Sequence, residues 1–166
     1  MSSFSLRPFL PRDVPVLAAI FQDSVETLTA DDYDVDQRAA WASAADDEDA
    51  FSTRLSELLT LVVESDGMPA GFAALEDNAM IALLYVHPRH ARQGIATILC
   101  DALEKLAAAR GTKLVSTDAS DTSLPFFEGR GYVATQRNTV IRDGQWLGNT
   151  TMQKTLGTPA SEGRPS

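Results

Sequence analysis

The 166-residue sequence predicts an α/β (α+β) fold, a mixed, mostly antiparallel central sheet of about 6–7 strands flanked by helices. Three observations predict it. Residues 80–86 are apolar without alternation, which suits a central strand buried on both faces. An apolar stripe at helical spacing follows Gly94, and a further strand follows it at 113–118, so these two strands lie parallel through a right-handed crossover. Asp66-Gly67 and Asp143-Gly144 each separate a pair of strand-like runs, a signal for antiparallel hairpins.

Taken in order, residues 4–9 form a first strand. Asp13 reads as an N-cap, with Pro15 tolerated in the first turn of a helix whose inward stripe is Leu17, Ile20, Phe21, Ser24 and Leu28. Residues 30–36 break the pattern. A short helix over 37–44 carries Trp41, and a third over 46–58 starts with acids that suit a helix N-terminus. Residues 59–65 and 68–75 make the first hairpin, and 76–78 turn the chain into the central strand. Proline at 88 ends that strand, because it brings no backbone donor and keeps His87 out of helical geometry. The helix after Gly94 buries Ile95, Ile98, Leu99, Ala102, Leu103, Leu106 and Ala107. Residues 120–123 cap a short helix through Phe126, Phe127 and Glu128, which Gly131 terminates. Residues 132–141 and 146–156 are the last hairpin, and 157–166 a disordered tail. Residues 1–156 thus read as one domain, without repeat or linker.

Composition narrows the function. Residues 1–65 hold 4 Arg/Lys against 13 Asp/Glu, whereas the remainder holds 10 of each, so the net charge of -9 belongs to the N-terminal portion. Such a chain lacks the basic face that nucleic acid or an anionic membrane requires, and it accommodates a cationic amine. One cysteine, Cys100, permits no internal disulfide, and two histidines offer little to a metal. No apolar run spans a bilayer and no secretory pattern opens the chain, so the expectation is a soluble, cytoplasmic protein without metal.

The chemistry concentrates at 82–107. A helix start has amides without intrahelical partners and a partial positive charge. Gly94 and Ala96 leave that backbone accessible, and Arg89 and Arg92 can neutralise an anion, which points to pyrophosphate binding. The other reading is a glycine that eases a strand-to-helix turn. No Gly-Lys-Ser/Thr is present, so the loop is not a Walker A.

Val86-His87-Pro88 followed by Arg92-Gln93-Gly94-Ile95-Ala96 resembles the acyl-CoA loop of the GNAT superfamily of N-acetyltransferases. Phe126-Phe127-Glu128-Gly129-Arg130-Gly131-Tyr132 resembles that family's second marker, and the element order is similar to its whole fold. Tyr33, Trp41 and Arg137-Asn138-Thr139-Val140 resemble the YafP-like branch. One position departs: the motif's first Arg or Gln falls on Ala91, leaving Arg89 or Arg92 to compensate.

The resemblance implies a splayed parallel pair of strands at the acyl-CoA site. The backbone of Leu84, Tyr85 and Val86 would pair with the pantetheine arm, and the Val86 amide would hold the thioester oxygen. The amides of Arg92, Gln93, Gly94, Ile95, Ala96 and Thr97 would hold the pyrophosphate, with Ser123, Phe126 and Phe127 also at the cofactor. Many relatives protonate the leaving thiolate with a tyrosine where this chain has Phe127; Tyr85, Tyr132 or Tyr33 could substitute. A thiol pKa of about 8.5 also lets the thiolate leave unassisted.

An alkylamine of pKa about 10.4 is mostly protonated at pH 7, a penalty of roughly 4.6 kcal/mol, so a base or water relay is expected. Asp118 is the first candidate, with Glu76 and His87 behind it and a turn cap as its plainer role. Tyr33, Asp34, Trp41, Arg137, Asn138 and Trp146 could border the acceptor. The reading is an enzyme that moves acetyl from acetyl-CoA to the primary amine of a small molecule or peptide in a ternary complex. Its rivals are a non-catalytic acyl-CoA-binding or regulatory module and a nucleotide-binding protein. The last hairpin leaves an edge on which a homodimer could form.

Overall fold

A computed structural model describes residues 3–157, so the tail expected at 157–166 lies almost wholly outside the described residues. The strands are β1 (Phe4–Pro8), β2 (Leu59–Ser65), β3 (Met68–Glu76), β4 (Met80–Val86), β5 (Leu114–Ser120), β6 (Val133–Arg142) and β7 (Gln145–Thr155). The α-helices are α1 (Val14–Leu28), α2 (Val35–Ala42), α3 (Glu48–Glu57), α4 (Ile95–Ala109) and α5 (Leu124–Gly129). One sheet runs in the order β1-β2-β3-β4-β5-β7-β6, and only the β4-β5 pair is parallel.

Each face of the sheet has its own core. Against one face lie α4 and α5, burying Val63, Ala73, Leu99, Leu103, Phe127 and Met152 among others. Against the other lie α1, α2 and α3, which close over Val62 and Phe72. Leu99 and Leu103 are wholly buried, each worth about 1.5–3 kcal/mol relative to exposure. Cys100 is buried beside them, and that burial pushes its thiol up to about 12.

Several expectations shift. Helices expected over 37–44 and 46–58 run over Val35–Ala42 and Glu48–Glu57, because the side chains of Asp34 and Asp47 cap them by accepting from the amides of Gln37 and Ala50. Asp13 precedes α1 without capping it. Its buried carboxylate instead takes two hydrogen bonds from Arg7, both at 2.8 Å, and one from the Leu10 amide. Ser123 does not cap α5 either; Ser120 Oγ accepts from the Ser123 amide. Strand β4 is not buried on both faces: Ile81 is buried and its other residues are half-exposed, because a cleft opens along it.

Candidate active site

The cleft begins where β4 and β5 diverge. They pair only at Met80 with Ser116 and Ile81 with Thr117. Thr117 Oγ1 donates to the Ile81 carbonyl at 2.9 Å, filling the last bonding position before the split. At the same point β4 carries one extra residue against β3: Leu75 pairs with Ile81 and Ala74 with Leu83, leaving Ala82 as a bulge. A bulge bends its strand and shifts the alternation of side chains. Ile81, Leu84 and Val86 therefore pack on the α4 face, and Leu83 and Tyr85 on the α1 face.

Past the bulge, one edge of β4 stays in β3 while the other is open. The His87 amide donates to Ala70 of β3 at 2.8 Å. Strand alternation then turns the Val86 amide toward the cleft. An apolar strand with a free polar edge is a site for another extended chain to pair.

The loop after β4 ends beside that edge. His87 Nδ1 accepts from the Arg89 amide and starts a short 3-10 turn over Pro88–His90. Arg92 and Gly94 both take positive φ, at 64° and 90°. Helical bonding resumes only at Ile98, whose amide donates to Gly94, so among the described residues the amides of Arg92 to Thr97 have no protein acceptor. That is a nest of six donors at the N-terminus of a 15-residue helix. Gly71 of β3 lets the helix approach: a Cβ there would meet Ile95 Cγ2 at 2.8 Å and the Tyr85 carbonyl at 3.1 Å.

Together these elements line one cleft of about 1140 Å³. Leu84, Tyr85, Val86, Ala91, Arg92, Gly94, Ile95, Ala96 and Thr97 line its loop end, with Ser123 just before α5 and Phe126 and Phe127 within it. Its other end lies among α1, α2, α3 and the last hairpin, where Phe21, Tyr33, Trp41, Phe51 and Leu147 form an apolar wall.

Tyr33 is nearly buried, its hydroxyl donating to the Gly148 carbonyl at 2.6 Å and accepting from the Asp121 amide at 2.9 Å. Burial pushes its phenol up. Trp41 stacks edge-on against Tyr33 and donates from Nε1 to the Tyr85 hydroxyl at 3.3 Å. Burial raises the Tyr85 phenol too. Tyr132 is outside the cleft, its hydroxyl on Glu104 at 2.7 Å. Asp118 alternates onto the α1 face of the sheet, lines the cleft, is exposed, and accepts from Thr151 at 2.7 Å through Oδ1, leaving Oδ2 without a protein donor among the described residues.

Other expected residues stand apart. Asn138, on edge strand β6, spends its amide on Asn149 and Thr151 and does not line the cleft. Trp146 is 67 % exposed, and Arg137 is held by Asp121 over Gly148. Arg89 and Gln93 do not line the cleft with their side chains, and Gln93 Oε1 lies 3.2 Å from His90 Nδ1. His87 faces Asp23 at 3.7 Å, outside it. Among the lining residues that escaped sequence reasoning are two arginines, Arg54 of α3 and Arg142 of β6. They lie 88 positions apart, joined only by the tertiary fold; Arg54 being one of four cations in an acidic half was the single available signal.

The geometry has relatives. The N-acetyltransferase YafP of Escherichia coli is 29% identical over 153 residues, 92% of this chain and 97% of that protein. The crystal structure of a GCN5-related N-acetyltransferase from Rhodopseudomonas palustris superposes with a TM-score of 0.92 at 56% identity, covering 94% of this chain and 98% of that one. The PaiA N-acetyltransferase of Thermoplasma acidophilum, solved with coenzyme A, shares the fold at 17% identity and TM-score 0.76, over 93% of this chain and 99% of that one. The family model for the acetyltransferase (GNAT) domain matches residues 29–156, strands β2 to β7 and all the helices but α1. On that match, which spans most of its length, the chain belongs to the GNAT family of acetyltransferases.

Proposed function

We propose that residues 1–156 act as one domain that transfers an acetyl group from acetyl-CoA to the primary amine of a small molecule or peptide. The observation that carries this reading is the open edge of β4 running into six unpartnered amides. An extended amide-bearing arm with a pyrophosphate at one end fits both features at once. The donor, when bound, supplies an acetyl thioester, and this chain's backbone does most of the holding.

The Val86 amide is the donor available to the thioester oxygen as negative charge develops there, an interaction typically worth about 3–4 kcal/mol in the transition state. The amides of Arg92, Gln93, Gly94, Ile95, Ala96 and Thr97 hold the pyrophosphate, with Arg92 lining the same end. Asp118 Oδ2 takes a proton from the acceptor, directly or through water. The amine nitrogen bonds the acyl carbon, the carbon–sulfur bond breaks, and the thiolate leaves. Phe127 offers it no proton. Tyr85 is the tyrosine of the open strand and the candidate to supply one, its hydroxyl already accepting from Trp41. Tyr33 and Trp41 border the acceptor.

Phe127 is also the observation that favours a second reading, a non-catalytic acyl-CoA-binding module. Melting the protein with acetyl-CoA, coenzyme A, ATP and NAD at about 1 mM, then assaying a panel of amines, separates the readings. A ligand at a hundred times its Kd raises stability by about 2.7 kcal/mol. A rise confined to the two coenzyme A species with turnover of an amine supports the enzyme; a rise without turnover supports the module. An equal rise with ATP or NAD overturns both.

A further inference from the structure

Two arginines stand in the cleft without a carboxylate. Arg54 and Arg142 line its acceptor end, and among the described residues neither has an ion-pair partner. The chain has 23 acids and 14 Lys/Arg, so partners are plentiful. Ion pairs engage Arg7, Arg130, Arg137 and Lys154, and the other described Arg and Lys residues stand unpaired, so what sets the exposed Arg54 and Arg142 apart is that they line the cleft. The remaining cleft arginine, Arg92, is accounted for by the amide nest beside it. Asp118 is the one acid among the lining residues, and it lies on the sheet side.

The two guanidiniums act on the same space. Burial raises the Tyr85 phenol most, and the charges of Arg142 and Arg54 both oppose that rise, so both fields reach the Tyr85 hydroxyl, which meets the acceptor wall at Trp41. Between them the wall is apolar, built from Phe21, Trp41, Phe51 and Leu147. A simple ammonium entering there meets two like charges, with Asp118 on the sheet side as the one acid among the lining residues. An amine that also carries an anion is attracted, and its ammonium is then pushed toward the neutral form by the nearby cations.

We propose, resting on the acetyltransferase reading above, that Arg54 and Arg142 bind an anionic group of the acceptor, whose class is a small amine bearing a carboxylate on an apolar body. Arginine suits this role because its planar fork meets a carboxylate through two charge-assisted hydrogen bonds.

The test uses the full chain saturated with coenzyme A and three matched amines: phenethylamine, 4-(2-aminoethyl)benzoate and tyramine O-phosphate. Calorimetric titration should show the benzoate binding about tenfold or more tightly than phenethylamine, the scale of one charge-assisted hydrogen-bonded contact. R54Q/R142Q should bring that ratio to within about twofold, while R54K/R142K restores some of it. R12Q, a surface change away from the cleft, should leave the ratio as in wild type. Equal affinities, no binding of either anionic amine, or a preference that survives R54Q/R142Q overturns the proposal. A phosphate-ester preference lost in R54Q/R142Q supports the anion site and overturns the choice of carboxylate. If wild-type melting does not respond to coenzyme A, the acetyltransferase reading itself has failed; if R54Q/R142Q keeps that response, its effect is confined to the acceptor end.

Discussion

The hydroxyl of Tyr33 donates to the Gly148 carbonyl at 2.6 Å, tying the turn before α2 to the last hairpin across the acceptor end of the cleft. It also accepts from the Asp121 amide, so one phenol satisfies two backbone groups on neighbouring segments. Gln37 adds a second tie from α2, donating to the Trp146 carbonyl at 2.8 Å.

Tyr33→Phe removes both Tyr33 bonds while keeping the ring against Trp41. The loss should be about 1–3 kcal/mol, since two partly buried backbone groups lose their partner. Urea unfolding measures it. The melting response to coenzyme A should persist, because Tyr33 lies at the far end from the α4 loop.

Gly71→Ala tests how closely α4 must approach β3. The new methyl meets a branched methyl of Ile95 and the Tyr85 carbonyl, neither the far end of a flexible chain. Overpacking of this kind costs about 1–3 kcal/mol, and relief requires the helix start to move. Melting midpoint and coenzyme A affinity should therefore fall together. An undiminished affinity would show that the amide nest does not depend on this contact.

Asp118→Asn keeps the bond from Thr151 and removes the basic oxygen. Loss of a positioned base typically costs about 10²- to 10⁴-fold in kcat, with donor affinity unchanged. Steady-state kinetics with a fixed amine reads this directly. A fall of less than about threefold would remove Asp118 from the mechanism.

Asp13 supplies a pH dependence. The Arg7 hydrogen bonds hold its carboxyl below the usual carboxylate value, burial opposing them. A lowered native value means the stabilisation is present above the unfolded value of about 3.9 and is lost as pH falls through the native one. Asp13→Asn should lower stability at pH 7 and flatten the acid side of the stability curve, as denaturant melts between pH 7 and pH 3 would show.

The sheet was legible because its signals are local. Asp66-Gly67 and Asp143-Gly144 fixed two hairpins, with positive φ observed at all four residues. The apolar run of 80–86 and the stripe after Gly94 fixed the central crossover. The side-chain roles of Asp13 and Ser123 were not legible, since Arg7 of β1 takes the Asp13 carboxylate and Ser120, three residues back, bonds the Ser123 hydroxyl and amide. Nor was the Ala82 bulge, which is a property of pairing with β3 and leaves no mark in an all-apolar strand. The acceptor wall was half visible: its aromatics declared themselves, whereas Asn138 and Arg142 occupy one strand and only register decides which of them reaches the cleft.

The division of labour along β4 has an evolutionary consequence. What the donor end offers is main chain, and main chain survives almost any substitution that spares Gly71, Gly94 and the extra residue at 82. What the acceptor end offers is side chains contributed by α1, α2, α3 and the last hairpin. Mutations that redesign one end need not disturb the other, so a single ancestral frame can be re-tooled for new acceptors while its acyl supply stays fixed.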